Sequence, residues 1–503
     1  MQYRTDIEYI ASFNARQAPP VMNYAAALAG FDPIDLSRPF RYCDLGCGPG
    51  LTLLTLAAAF PQAEFVGVDF NSNHIRMAQA RAEATGLKNV KLIHSNFTEL
   101  KERNLPQFHF IAISGTLSWL ADAPRDAVLD FMGSNLVEGG LAYLHYMVMP
   151  GHVIQPPLCR LASDYYNQLE GEPEEKVLLT KEFLKGFLNT QKRYFEVSPT
   201  AKDFLQNMIN STTSLFLHDY LSNVRKAYYF ADMNQLLEQR GLRYAGSAEP
   251  FYNHLQLVVP MESRELFRGV RERASVEAIK DYICVTGGRT DVFCKTNRSA
   301  GNEKPLESVL VVALPGQDQN QVINFSGMAV RLNVDPMATV LRLLQTPSTL
   351  EKLYQHPELS AYPRHEIRKA LTYAVAARRV IPIATPPTPV TTISAYNRDA
   401  LSQVVTTAPD LLPSVTLASP VMGSGHCISW VDAVMLWSIV NYGAEASQKA
   451  LEIMQKRNLA LKVQTKDEKE LTPQETMRLA IQNSVRQFNV LLPFMGISPH
   501  LAV

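Results

Sequence analysis

The stretch YCDLGCGPGLTLL (Tyr42–Leu54) decides the fold of the first part of this chain. An apolar run ends at Asp44, glycines follow at Gly46, Gly48 and Gly50, and an apolar helical pattern begins directly afterwards. A strand that passes through a glycine turn into a helix leaves free backbone N–H groups at the carboxyl edge of a sheet. We therefore predict a site for a nucleotide-like ligand at this edge.

Short β-rich runs alternate with helical patterns over the first 150 residues, which is typical of a parallel sheet built from βαβ units. Helical patterns in SNHIRMAQARAEATG and PRDAVLDFMGSNLVEGG end at Gly86 and at Gly139–Gly140, as helices often do. Alternation returns near residue 226, with a helix in YYFADMNQLLEQRG and strands in LRYAGSA and TDVFCKT. The strands predicted before Pro150 are Arg41–Leu45, Glu64–Asp69, Val90–Ser95, Phe108–Ser114 and Leu141–Met147.

The remaining segments predict an α/β protein of several parts. Residues 1–150 and 226–297 form the sheet domain, and residues 151–225 are a helical insertion. The polar run NRSAGNEKP (Asn297–Pro305) links the sheet domain to a middle domain, 306–385. The helices and short strands of this middle domain suggest a winged-helix-like module. After TPPTPVTT, residues 393–503 form a mainly helical C-terminal domain, in which Thr472 and Glu475 fit a capping box.

Composition narrows the classes of partner. The 503 residues carry a formal net charge of zero, which argues against nucleic acid as the main partner. No segment reaches the ~18 apolar residues that a membrane span needs, and the first residues do not resemble a secretion signal. The six cysteines form no C-x-x-C pair, so we expect reduced thiols, a cytoplasmic location and no metal site, with structural zinc as the alternative.

The spacing of the glycines distinguishes between classes of cofactor-binding turn. A dinucleotide fold would place its third glycine at Leu51, and a P-loop would need a G-K-[ST] sequence that is missing here. The observed spacing instead resembles motif I of the class I S-adenosylmethionine-dependent methyltransferases. That resemblance implies that Asp44 lies near the methionine part of S-adenosyl-L-methionine, where its carboxylate offsets the ammonium charge.

The ends of the following strands extend the resemblance. Asp69 is placed to accept hydrogen bonds from both ribose hydroxyls, and Asn96 and Phe97 stand where the family contacts adenine. The alternatives are that Asp69 only caps the helix at Asn71–Ser72 and that Phe97 is core. The resemblance implies a cofactor-binding set of Asp44, Gly46, Gly48, Gly50, Asp69, Phe70, Asn96, Phe97 and Ser114.

Other segments resemble a narrower group, the bacterial methyltransferases with a regulatory domain, which includes protein-lysine methyltransferases acting on outer-membrane proteins. They are ISGTLSWL (Ile113–Leu120), GGLAYLHYMVMPG (Gly139–Gly151), the run His218–Pro250 and LASPVMGSG (Leu417–Gly425). The resemblance implies a Rossmann-like methyltransferase sheet with a helical insertion, a middle and a C-terminal domain, and a homodimer. The fourth and fifth strands depart from the group's patterns where the acceptor enters, so cofactor use carries over better than substrate identity.

Aromatic residues at these strand ends are candidates for the acceptor pocket. Trp119 and Tyr146 are predicted as its walls, since aromatic faces can guide an amine, although both could instead pack in the core. His145 is the candidate general base, with a structural hydrogen-bonded histidine as the alternative. His109 is expected inside the sheet or at its start.

The sequence therefore predicts a methyltransferase that transfers a methyl group to a nucleophilic acceptor. A protein lysine amine is slightly preferred over a small molecule or natural product methylated on nitrogen or oxygen. The absence of an [ND]-P-P-[YF] run after the fourth strand argues against nucleobase amines. The alternative from another class is a non-catalytic, cofactor-binding interaction protein.

Overall fold

The computed structural model describes residues 12–222, 224–297, 304–316, 321–459, 472–498 and 501. A seven-stranded sheet with strand order β3-β2-β1-β4-β5-β7-β6 forms its centre. β7 runs antiparallel to both of its neighbours, and the other pairs are parallel. The Rossmann-like sheet is thereby confirmed. Its strands are β1 Arg41–Leu45, β2 Glu64–Asp69, β3 Val90–His94, β4 Phe108–Ser114, β5 Leu136–Met147, β6 Leu242–Ser247 and β7 Gly288–Lys295.

The predicted insertion between β5 and β6 is helical and has a core of its own, which includes Leu158, Leu184, Leu205 and Phe216. A single π-helical turn, Phe216–Tyr220, closes it before the chain returns to the sheet. The helices up to β7 are α1 Pro19–Leu28, α2 Leu51–Ala59, α3 Ser72–Ala84, α4 Asp122–Asn135, α5 Gln155–Tyr166, α6 Pro173–Thr190, α7 Lys192–Val197, α8 Thr200–Asn210, α9 Thr213–Leu215, α10 Phe230–Glu238, α11 Leu255–Val258 and α12 Arg273–Cys284.

Helices cover both faces of the sheet because successive strand residues point to opposite sides. In β1, Tyr42 joins the cluster that contains residues of α1 and α2. Its neighbour Cys43 joins the opposite cluster, which contains residues of α4 and α10. β1 is therefore buried on both faces, as expected for a central parallel strand.

One predicted boundary is wrong. The helix α4 ends at Asn135 instead of continuing to Gly139–Gly140, and β5 begins at Leu136, five residues before the predicted start. Gly139 has a φ of +80°, and the register between β4 and β5 shifts between Phe108 and Phe110. The glycine pair therefore marks an irregularity within the strand, whereas the sequence pattern suggested a helix end.

The middle segment joins two small antiparallel strand pairs to four helices. β8 pairs with β11, and β9 pairs with β10. Its apolar core also contains Tyr24 and Ala27 of α1. The winged-helix-like arrangement stays a prediction, and the predicted linker falls largely on residues 298–303, outside the described residues. The elements are α13 Lys304–Glu307, β8 Val311–Ala313, β9 Val322–Asn324, β10 Ala329–Arg331, α14 Met337–Leu343, α15 Leu350–Tyr354, α16 Arg364–Ala376 and β11 Val380–Pro382.

The C-terminal segment is mainly helical, as predicted, and also contains a β-hairpin that the sequence pattern did not predict. The capping box is confirmed, because Thr472 accepts from the Glu475 N–H and the Glu475 side chain accepts from the Thr472 N–H. The elements are α17 Ala395–Thr406, β12 Ser414–Ser419, β13 Ser424–Ser429, α18 Trp430–Tyr442, α19 Ala446–Gln455 and α20 Pro473–Phe494.

Two further features complete the fold. The Oγ1 of Thr55 in α2 and the hydroxyl of Tyr396 in α17 lie 2.7 Å apart, so the C-terminal segment contacts the helix that follows the glycine turn.

In the described parts of the chain, every helix is too short or too polar to cross a membrane. Short 3₁₀ turns lie at Ala15–Gln17, Phe97–Arg103, Leu117–Trp119, Pro250–Asn253, Met261–Phe267, Pro357–Leu359 and Gly443–Glu445.

Candidate active site

A cavity of about 900 Å³ lies at the carboxyl edge of the sheet. It is lined by the ends of β1, β2, β4 and β5, and by the segment after β3. The strand order reverses between β1 and β4, and open α/β sheets bind their ligands at such a switch point. The sequence-predicted ligand site therefore coincides with the large cavity.

The glycine turn forms one wall of this cavity. Gly46 has a φ of +78°, and a Cβ placed there would lie 2.5 Å from Oγ1 of Thr116. Gly48 has a φ of +54°, and a Cβ there would meet nothing within 4 Å. The backbone of Gly48 thus faces open space that a ligand can fill. Gly50 does not line the cavity; it precedes α2 as its N-cap residue.

The carboxyl group of Asp44 is buried at the end of β1, with only 4% of the residue exposed. Its Oδ2 accepts a 3.1 Å hydrogen bond from Nε2 of Gln17. Burial raises the pKa of Asp44 to about 7, and the nearby Asp69 adds to the rise. A cationic group in the cavity would hold this carboxylate in its ionised form, which fits the ammonium of an amino acid.

The carboxylate of Asp69 ties two backbone segments together. Its Oδ2 accepts a 2.8 Å hydrogen bond from the Gly48 N–H, and its Oδ1 accepts one of the same length from the Asn71 N–H. Nδ1 of His74 lies 3.4 Å from Oδ1. Each carboxylate oxygen can accept a second hydrogen bond, so Asp69 orders the turn and still has capacity for ligand hydroxyls.

The residues expected near adenine line the same cavity. Asn96 is exposed, and its Nδ2 donates a 3.2 Å hydrogen bond to Oε1 of Glu99. Phe97 is 5% exposed and belongs to the hydrophobic core as well as to the cavity wall. Phe70 lines the cavity too, and so does Ser114, whose Oγ accepts a 2.8 Å hydrogen bond from Nδ2 of Asn14.

Two of the predicted acceptor-side residues lie in the cavity wall. The half-buried ring of Trp119 lines the cavity, and Cζ of Arg225 lies 5.6 Å from the ring centroid. The ring of His145 lines the cavity at the end of β5. Burial lowers the pKa of His145, and the positive charge of Arg16 lowers it further, so the imidazole is neutral at physiological pH.

Tyr146 lies outside this cavity, which differs from its predicted place in the acceptor pocket. It is 2% exposed, and its hydroxyl donates a 2.7 Å hydrogen bond to Oδ2 of Asp291 in the core. Adjacent residues of a strand point to opposite faces, so Tyr146 and His145 cannot both face the same space. His109 lies at the start of β4, where its Nδ1 accepts from the Arg41 N–H at the edge of the sheet opposite the cavity.

A buried cluster of charges surrounds Asp291 behind the site. The guanidinium of Arg289 contacts Asp291, Asp281 and Glu277 at 2.8, 2.8 and 2.7 Å. Lys280 contacts the second oxygen of Glu277 at 2.6 Å. Arg289 is only 6% exposed, and the three carboxylates raise its pKa although burial acts in the opposite direction. The cluster holds β7 against α12.

Two groups of cavity residues were not predicted. The segment before α1 contributes Asn14, Arg16 and Gln17, and the predicted insertion contributes His218 and Asp219. The contacts of Asn14 with Ser114 and of Gln17 with Asp44 join residues 100 and 27 positions apart. The polar run SFNARQ before Pro19–Pro20 is the local signal, but it does not reveal its distant partners.

Family models cover two segments of the chain. Residues 43–140 match the model of a methyltransferase domain, which contains the glycine turn and the ends of β2, β3 and β4. Residues 212–295 match a predicted methyltransferase regulatory domain, which contains His218, Asp219 and the charge cluster around Arg289. Both matches lie around the cavity.

Similar proteins occur in several bacteria. An uncharacterized protein of Synechocystis sp., sll1526, is 28% identical over 294 residues, which are 58% of this chain and 58% of that protein. RP789 of Rickettsia prowazekii is also 28% identical over 294 residues, which are 57% of this chain and 52% of the relative. The chain thus spans little more than half the length of these two curated relatives. PKMT2 from Rickettsia typhi, solved in complex with AdoHcy, superimposes with a TM-score of 0.73 at 17% identity, covering 96% of this chain and 99% of that one. The last similarity shows a common fold.

Proposed function

We propose that this chain, which belongs to the class I S-adenosylmethionine-dependent methyltransferases with a regulatory domain, is an active enzyme that methylates a lysine amine of a protein. One observation carries the proposal. A single cavity joins the Asp44–Gly48 wall to the side lined by Trp119 and His145.

The residues of the cavity fit S-adenosyl-L-methionine. Asp44 is a buried carboxylate that a ligand ammonium would stabilise, and Gly48 presents bare backbone to open space. Asp69 retains acceptor capacity for the ribose hydroxyls, and Phe97 offers an apolar surface for the adenine. When bound, the cofactor supplies a methyl group activated by a sulfonium.

On the acceptor side, the protein has to position an amine and remove its proton. Alignment in a near-attack geometry can account for roughly 7–11 kcal/mol of the barrier. His145 is neutral at physiological pH and can accept a proton, which would add about 10²–10⁴-fold to the rate. The ring of Trp119 would contact the acceptor chain and guide the amine.

A protein acceptor is favoured over a small molecule for two reasons. The sequence resembles a group that contains protein-lysine methyltransferases, and the fold of PKMT2 extends over nearly the whole chain. In addition, the predicted insertion contributes His218 and Asp219 to the cavity lining, and we infer that a second protein would contact the insertion when its side chain binds there. Homodimerisation and a cytoplasmic location stay predictions.

Radiolabelled methyl transfer tests the proposal. The enzyme and labelled S-adenosylmethionine are incubated with cell fractions separated into protein, lipid and small-molecule pools, with the Asp44→Asn variant, in which we expect weaker cofactor binding, as the control. We expect label in the protein pool, released as methyl-lysine after hydrolysis. Label in the small-molecule pool would replace the protein acceptor by the small-molecule alternative. No incorporation in any pool, despite cofactor binding, would favour the non-catalytic alternative.

A further inference from the structure

A second cavity, of about 790 Å³, lies where the sheet unit meets the middle segment. The end of α1 and the chain between β6 and α12 form one side, and α16 of the middle segment forms the other. It shares no lining residue with the cavity at the carboxyl edge of the sheet. The lining residues used below are His254, Arg264, Arg273, Arg368, Lys369 and Tyr373.

Positively charged side chains predominate among the charged groups that line this basic cavity. Arg264, Arg273, Arg368 and Lys369 line it together with two histidines, and none of its described lining residues is acidic. Arg264 and Arg273 differ in this respect from Arg289, which contacts three carboxylates. Cations gathered in a concave site raise the local potential and attract anions.

The contacts of two arginines show how the charge is held in place. Nη2 of Arg264 donates to the backbone carbonyls of Gln256 and Gly327, at 3.0 Å each. Nη2 of Arg273 donates at 3.0 Å to the carbonyl of Ala245. Among the described residues, neither arginine forms an ion pair with a carboxylate. Neutral carbonyls therefore orient both guanidinium groups and leave their charge uncompensated.

The side chain of His254 lies in the positively charged environment of this cavity. Its Nε2 is buried and has no hydrogen-bond partner among the described residues, and its ring centroid lies 5.2 Å from that of Tyr373. Burial lowers the pKa of His254 to about 4, and the charges of Arg368 and Lys280 contribute to the decrease. A neutral imidazole with a free ring nitrogen beside four cations is suited to contact a polar anion.

We propose that the basic cavity binds a phosphate-bearing small molecule of about nucleotide size. Planar guanidinium groups match phosphate oxygens, and Lys369 adds a mobile ammonium. The volume exceeds what one phosphate group needs, so a phosphorylated sugar or nucleoside fits. The ligand bridges Arg264 of the sheet unit and Lys369 of the middle segment, and it therefore stabilises the contact between them.

Calorimetric titration tests the proposal with two probes, inorganic pyrophosphate and ATP. S-adenosylhomocysteine is present at saturation, so that ATP cannot enter the cavity at the glycine turn, and adenosine is the uncharged control. The test variants are Lys369→Gln and the double variant Arg264→Gln/Lys369→Gln. The matched control is Arg193→Gln/Lys202→Gln, which removes two exposed cations from the predicted insertion.

We expect at least one of the two phosphate probes to bind and adenosine not to bind. The double variant should weaken binding by at least about tenfold, since each charge-assisted contact contributes on that scale. Lys369→Gln, which changes an exposed side chain, should show part of the loss, and the control pair should bind as the parent does. S-adenosylhomocysteine affinity, measured separately on every variant, verifies folding. Absence of binding by both probes, or equal affinity in the test and control pairs, would overturn the proposal.

Discussion

The backbone N–H of Gly48 donates a 2.8 Å hydrogen bond to Oδ2 of Asp69, which joins the glycine turn after β1 to the end of β2. The second oxygen of Asp69 accepts from the Asn71 N–H at the start of α3. One carboxylate therefore fixes the two backbone segments that border the ligand cavity. Asp69 also lines this cavity, and its carboxylate can accept further hydrogen bonds there.

Replacing Asp69 tests this double role. Asp69→Ala removes both backbone contacts and the acceptors for the ribose, so the affinity for S-adenosylhomocysteine should fall by about 10–100-fold, the scale of a hydrogen bond to a charged group. Calorimetry measures the change, and Asp35→Ala, at an exposed loop position, is the control. Parent-like affinity in the Asp69 variant would remove this residue from the site.

Replacing Asp44 by asparagine should have opposite effects on the stability of the protein and on its affinity for the cofactor. Its pKa is raised from an ordinary value of 3.8 to about 7, so the folded, cofactor-free protein retains a proton that the unfolded chain releases. The contribution of this bound proton to the free energy of unfolding is fully present below about pH 4 and is lost as the pH rises towards 7. Asp44→Asn should therefore stabilise the cofactor-free protein at pH 8, by an amount of order 2–4 kcal/mol.

The same variant should bind S-adenosylhomocysteine at least about tenfold more weakly, because the amide cannot offset the ligand ammonium. Urea denaturation at pH 5 and pH 8 measures the stability change, and calorimetry measures the binding. A variant that loses stability at pH 8 while binding the ligand normally would show that Asp44 is structural only.

His145 and His109 form a matched pair in neighbouring strands of one sheet. His145→Asn should lower the rate of single-turnover methyl transfer by about 10²-fold or more, since a general base contributes on that scale. Cofactor affinity should stay within about twofold of the parent. His109→Asn, at the far edge of the sheet, should leave the rate unchanged. Equal rates for both variants would exclude His145 as the proton acceptor.

The charge cluster around Arg289 should dominate the stability of the region behind the site. Arg289→Met leaves Glu277, Asp281 and Asp291 buried with one remaining cation, Lys280, so we expect a loss of about 3–5 kcal/mol. Arg160→Met, which removes an exposed pair with Asp164, should change stability by less than about 1 kcal/mol. The first transition in urea denaturation gives both values. Similar midpoints for the two variants would contradict the assigned role of Arg289.

Local patterns were sufficient to predict the frame of the site. The bounds of β1, β2 and β4 follow from short apolar runs, and the turn at Gly46 and Gly48 follows from glycine spacing. The positions of residues that depend mainly on their neighbours in the sequence can be predicted from such local patterns. The hairpin of β12 and β13 also has a local sequence pattern, because alternating runs flank Pro420–Gly423. It was not predicted because the segments around it have helical patterns.

Long-range contacts were not predictable in the same way. The pairing of Gln17 with Asp44 depends on how α1 packs against the sheet, which no local pattern encodes. Tyr146 is a different case: strand alternation would have separated it from His145 once the face of either residue was known. Aromatic character suggested a ligand wall, whereas the strand's geometry placed the ring in the core.

Calorimetric titration of S-adenosylhomocysteine into the parent protein and into Asp44→Asn tests the central claim most directly. The account predicts one ligand per chain with a dissociation constant below about 100 μM for the parent, and at least about tenfold weaker binding for the variant. No heat of binding to the parent at about 1 mM ligand, which leaves less than roughly 4 kcal/mol of binding free energy, would contradict it.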